Sequence, residues 1–165
     1  MTDSAYLLGV DIDQTYTSAG DLPFAQGDPV DTKNGRVILG RATSGIAQFS
    51  LVVYQPSSAA ASASVDLFLA SVANATGSQY AVAQTSISSA EYGWVHIESH
   101  KEGRVRCGVA ETGVPLFLTT TGGLVDDAVV SGLALTGLKI LESVTSASAP
   151  RAIWNDLKLD RSTIA

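Results

Sequence analysis

Few side chains in this sequence could carry chemistry. Histidine occurs twice and cysteine once in 165 residues. His96, Glu98 and His100 alternate along one expected strand, so all three project from the same face. Two imidazoles and a carboxylate are donors that a divalent metal accepts. Same-face neighbours on one strand sit about 6.5 Å apart. Metal–ligand bonds of about 2 Å need donors closer together than that. The trio therefore reads as a solvated strand face, and no metal site is assigned to it.

Other motifs fail in the same way. Asp11-Ile12-Asp13 begins like a calcium loop, but the sixth position, where a sharp turn needs Gly, is Tyr16. The sequence has no Gly-x-Ser-x-Gly elbow, phosphate loop or dinucleotide fingerprint. Cys107 is alone, which excludes an intrachain disulfide and a cysteine-based zinc centre. Its inward position between Arg106 and Gly108 suits a buried structural cysteine. These residues give no catalytic constellation, so the expectation is a non-enzyme without a cofactor.

The elements that would position these residues are mostly short strands. Asn34-Gly35 reads as a type I′ hairpin turn, with Arg36–Arg41 leaving it. Phe49–Gln55 is β-branched and aromatic and stops at Pro56. Tyr80–Gln84 is a short apolar run. Tyr92–Ser99 alternates, with Gly93, Val95 and Ile97 on one face and Tyr92, Trp94, His96 and Glu98 on the other. Lys101-Glu102-Gly103 reads as a tight turn. Arg104–Val109 follows as a strand with Val105, Cys107 and Val109 inward. Val114–Thr119, Leu133–Leu141 and Ala152–Leu159 complete the set, with a turn at Gly122-Gly123. The stretch 57–77 is ambiguous. Val65, Phe68, Leu69 and Val72 fit a helical stripe, which favours a short helix or a long loop over a strand.

This pattern predicts an all-β fold: a small sandwich or barrel of seven to ten short strands, with an extended N-terminal arm and room for one short helix. Residues 1–27 form the expected arm and residues 28–165 a single β-rich domain, a division that the length supports.

Composition narrows the function. Only 16% of residues are charged, against about a quarter in an average soluble domain. Ala, Ser and Thr make up 55 of the 165 residues. The net charge is −6 and the pI about 4.7, which argues against a general nucleic-acid binder. No apolar run approaches the roughly 20 residues of a membrane-spanning helix. The first residues lack the basic start and apolar core of a signal peptide, so synthesis in a cytoplasm is expected.

Two features favour binding to a protein surface. Trp94 stands on the face opposite Val95 and Ile97, together with Tyr92 and His96. It is either an aromatic anchor for a partner or a residue beneath a second layer. The charges are also segregated. The first 31 residues hold six Asp and neither Lys nor Arg, whereas Lys101, Arg104 and Arg106 cluster. The acidic arm carries one apolar run, Tyr6, Leu7, Leu8, Val10 and Ile12, and is expected to dock on its own body or on a neighbour. These residues are the candidate interface.

Several blocks of this sequence resemble tailed-bacteriophage capsid decoration proteins, also called cement or head-stabilising proteins. The blocks are Ala83-Gln84, Tyr92-Gly93-Trp94-Val95-His96-Ile97, Gly113-Val114-Pro115-Leu116, and Thr119-Thr120-Thr121-Gly122-Gly123 with Asp127. Asp31-Thr32-Lys33-Asn34-Gly35-Arg36-Val37 is similar to their turn-bearing N-terminal part. The likeness runs from about Gly27 to Leu159 and departs after Ile97, where Glu98-Ser99-His100 replaces the usual Gly. It implies a β-rich virion protein that binds the outer face of a capsid and cross-links the major capsid protein, often as a homotrimer. The alternative is another virion part: a head fibre, a tail component or a receptor-binding module. No nucleic-acid or membrane partner is implied.

Overall fold

The computed structural model describes residues 11–57, 64–74, 79–128 and 134–160. Ten strands are named among them: β1 (Val30–Thr32), β2 (Gly35–Ala42), β3 (Leu51–Pro56), β4 (Val65–Leu69), β5 (Gln79–Val82), β6 (Tyr92–Arg104), β7 (Leu116–Leu118), β8 (Val125–Asp126), β9 (Ala134–Ile140) and β10 (Arg151–Asp160). Helical structure among the described residues is limited to two single 3₁₀ turns, Ala19–Asp21 and Val72–Asn74. The protein is all-β, as the alternating patterns require.

Five strands close on themselves. The order β2-β4-β3-β5-β6 returns to β2 through a long antiparallel pairing that runs from Gly35↔Ser99 to Arg41↔Tyr92. Among these five strands only β2 and β4 pair in parallel. Closure removes free sheet edges from this part of the molecule. Ile38, Val52, Leu67, Ala81, Ile87 and Val95 fill the barrel interior, all of them buried.

Strand β6 outruns the barrel. Its far end pairs with β10, from Arg151↔Arg104 to Trp154↔Ser99. Strands β9, β7 and β8 extend the sheet beyond β10. The resulting wing folds against the outside of β3 and β5. Leu51, Val53, Tyr80 and Val82 there meet Leu116, Leu118, Leu135, Ile140, Trp154 and Leu157 in a second core.

Several details differ from the sequence reading. The first hairpin turns on Lys33 and Asn34, because Thr32 faces Gly35. Neither central residue has positive φ, so the turn is not type I′. Gly35 itself carries the unusual φ of 141°, and a Cβ there would lie 2.1 Å from the Glu98 carbonyl oxygen. Among its described residues the 57–77 stretch holds strand β4, where the residue spacing suggests a helical stripe, followed by the single 3₁₀ turn Val72–Asn74; residues 58–63 and 75–77 lie outside the described residues. Its Val65, Phe68 and Leu69 stripe is accidental, because Val52↔Leu69 to Pro56↔Val65 pair along β3. Lys101-Glu102-Gly103 is not a turn but the continuation of β6. From Val105 to Ala110 the chain forms no named strand and makes only isolated bridges, at Cys107 and Ala110. Val105 and Cys107 are buried as expected, whereas Val109 is 41% exposed.

Candidate interaction surface

The alternation read for β6 holds: Val95 enters the barrel, and Trp94 and His96 lie on its outer side. That outer side is covered, however. Trp94 is 3% exposed and His96 8% exposed. Two different layers cover them, and the contrast defines the surface.

Over Trp94 lies a strap formed by residues 11–30. Ile12 is buried with Val37, Leu39 and Trp94, while Tyr16, Leu22, Phe24, Val30 and Tyr92 pack around them. Phe24 meets Trp94 edge-on at a centroid distance of 6.0 Å, a geometry that ring quadrupoles favour. Backbone bonds pin the strap at two places. Tyr16 and Tyr92 exchange N–H···O bonds of 2.9 and 2.8 Å, and the Gly27 N–H donates to the Leu39 carbonyl at 2.9 Å. The Trp94 indole N–H is buried without a hydrogen-bond partner. Asp13 rides on the strap with its pKa raised, first by burial and then by the Asp11 charge, which a hydrogen bond from Thr85 partly opposes.

Over His96 lies the wing. Trp154 crosses its ring at 6.5 Å, and the Trp154 indole donates to the His96 backbone carbonyl at 3.1 Å. Burial lowers the His96 pKa from 6.5 to about 4, so the imidazole is neutral at pH 7. Among the described residues no group of three potential metal ligands is assembled.

The remaining candidate residues divide clearly. Tyr6, Leu7, Leu8 and Val10 lie outside the described residues. Lys101 and Arg104 are exposed and Arg106 is half-buried. Arg104 donates to the Ala149 carbonyl at 2.7 Å. Nearby, Arg151 bridges Glu102 and Glu142 at 2.7 Å each, and the Glu142 pKa is lowered, first by the hydrogen bond from the Arg151 backbone N–H and then by that from its guanidinium. The region is thus a mixed-charge patch rather than a basic one. Sequence reasoning missed two surface features. One is an exposed apolar loop with Val109 and Val114. The other is a pocket of about 190 Å³ where β10 parts from β6, with Tyr54, Glu98, Asp156 and Lys158 among its lining residues.

Cys107 is fully buried and bridges Val125 and Ser148. Burial, then Asp126 and Asp127, pushes its thiol up to about 12, which leaves it an inert structural group.

No family model matches the chain, and no curated protein matches it. Its fold is similar to a solved structure, the N base of head fibre gp8.5 in bacteriophage phi29. The TM-score is 0.53 at 14% identity, covering 75% of this chain and 97% of that chain. At that identity the similarity is one of fold.

Proposed function

We propose that the chain is a structural component of a tailed-phage virion, seated on the head surface. The observation that carries this reading is the fold similarity to the phi29 head fibre base, which covers 75% of this chain and 97% of that one. The capsid-decoration motifs around Tyr92-Gly93-Trp94-Val95 point the same way from sequence.

Within that reading, the first role is capsid decoration. The protein would bind the major capsid protein, cross-link the shell and act as a homotrimer without catalysis. The physical chemistry suits such a role. Ala, Ser and Thr lose little side-chain entropy on ordering. Weak contacts repeated around a symmetric site add through multivalency. The second role, favoured by the phi29 neighbour, is the base of a head fibre.

Titrating purified protein onto expanded heads that lack it separates the roles by sedimentation. A decoration protein saturates near the copy number of the major capsid protein and raises the temperature at which heads break open. A fibre base binds at few sites and leaves that temperature unchanged. Absence of binding to heads defeats both.

A further inference from the structure

Asn34 is the second central residue of the β1–β2 turn, after Lys33. Its backbone N–H donates to Thr32 Oγ1 at 3.2 Å, and the Thr32 hydroxyl donates to the Gly35 carbonyl at 2.8 Å. The turn backbone is thus held on both sides of Asn34. The side-chain amide is not: its Oδ1 is buried without a hydrogen-bond partner. A buried acceptor left unmet costs free energy, and Asn in a turn ordinarily spends that oxygen on a nearby backbone N–H.

The next residue is the one that least obstructs attack on this amide. Gly35 has no side chain, so no Cβ stands between its backbone nitrogen and the Asn34 Cγ. Asparagine is among the thermolabile residue types, and ring closure on the following nitrogen is the reason. The Gly35 N–Asn34 Cγ bond forms and the Cγ–Nδ2 bond breaks. The Gly35 amide proton leaves with Nδ2 as ammonia, and a cyclic succinimide remains. Lys33 is exposed and Asn34 half-buried, so water reaches the turn. Water that opens the ring at Cγ gives aspartate. Water that opens it at the main-chain carbonyl gives isoaspartate, whose backbone runs through Cβ and Cγ.

The turn has no slack for that longer backbone. Gly35 faces Thr32 across β1–β2 and Ser99 across β2–β6, the seam that closes the barrel. A Cβ on Gly35 would already lie 2.1 Å from the Glu98 carbonyl oxygen. An added backbone atom at the start of the seam disrupts the ladder as an inserted residue does.

We infer that Asn34 is a site of spontaneous succinimide formation in the folded protein, and that its isoaspartyl product loosens the β2–β6 seam. The inference stands apart from the virion reading, because it concerns the isolated protein.

The test incubates the full folded chain in heavy-oxygen water at mildly acid and mildly alkaline pH, with a parallel sample in urea. Peptide mass spectrometry locates the label, and isoaspartyl methyltransferase identifies the rearranged product. The expected result is label at residue 34 of the folded chain, faster in alkali, because the attacking nitrogen must lose its proton. Asn74 and Asn155 precede Ala75 and Asp156 and should react far more slowly. Asn34→Gln, which would need a larger ring, should stay unlabelled. The isoaspartyl form, separated by its added charge, should melt at least about 4 °C below the unmodified chain. Asn34→Asp carries the charge without the longer backbone and should melt between the two. Label at residue 34 in urea alone, equal labelling of Asn155, or an isoaspartyl form that melts with the unmodified chain would overturn the inference.

Discussion

His96 shows most directly how burial turns a residue's chemistry into stability. Its folded pKa of about 4 lies below the unfolded value of about 6.5. Between these values the unfolded chain takes up a proton that the folded chain refuses. Stability is therefore highest above pH 6.5 and falls as the pH drops towards 4. The loss at pH 5 should be about 2 kcal/mol relative to pH 7.5. Urea unfolding at both values, on the protein and on His96→Leu, measures it; the variant should lose most of this slope. Trp94 offers a second test. Trp94→Ala should cost about 3–5 kcal/mol, as an emptied aromatic site does. Trp94→Phe should cost much less, because it also removes a buried N–H that has no partner. Thermal denaturation ranks the two. The facing of Trp94 and His96 was legible in the sequence from strict alternation along β6. Their covering was not, because it comes from segments distant in sequence.

The strap and the bulge in β10, where the register against β9 shifts between Trp154 and Lys158, are the elements that local pattern reading handles least well. Residues 11–30 pack on the barrel through five scattered apolar side chains, Ile12, Tyr16, Leu22, Phe24 and Val30. They share a two-residue phase, but polar residues or glycine at positions 14, 18, 20, 26 and 28 break the alternation, so the segment reads as an arm and not as a strand. Because it seats on Trp94, deleting residues 1–27 should destabilise the barrel as well as any assembly. Tryptophan emission should shift to the red as Trp94 meets water, and the melting temperature should fall. Unchanged emission would show that the strap is dispensable. The helical stripe at Val65–Val72 failed for the opposite reason. A short apolar run satisfies several periods, and pairing with β3 and β2 decided between them. At the bulge, Gly137→Ala should cost at least about 2 kcal/mol, since it adds a side chain at φ 81° against a backbone carbonyl. Chemical denaturation of that single variant checks the claim.

At the scale of the molecule, three buried clusters divide the labour. One fills the barrel, one joins the barrel to the wing, and one lies under the strap. The all-β class and most strands were legible, because turn residues and alternation recur every few residues from Asn34 to Leu159. Barrel closure was not, since it depends on β2 meeting β6 across 49 intervening residues. The expected basic cluster resolved into a mixed patch once Glu102 and Glu142 came alongside Arg151. Charge-poor, small-residue surfaces on a closed barrel fit a protein that lies against other proteins in an assembly. The direct test of the proposed virion role is immunogold labelling, with an antibody to this chain, of virions purified from the phage proposed to encode it. The account predicts label on the heads, at positions that repeat with capsid symmetry. Virions free of the chain, or label confined to tails, would contradict it.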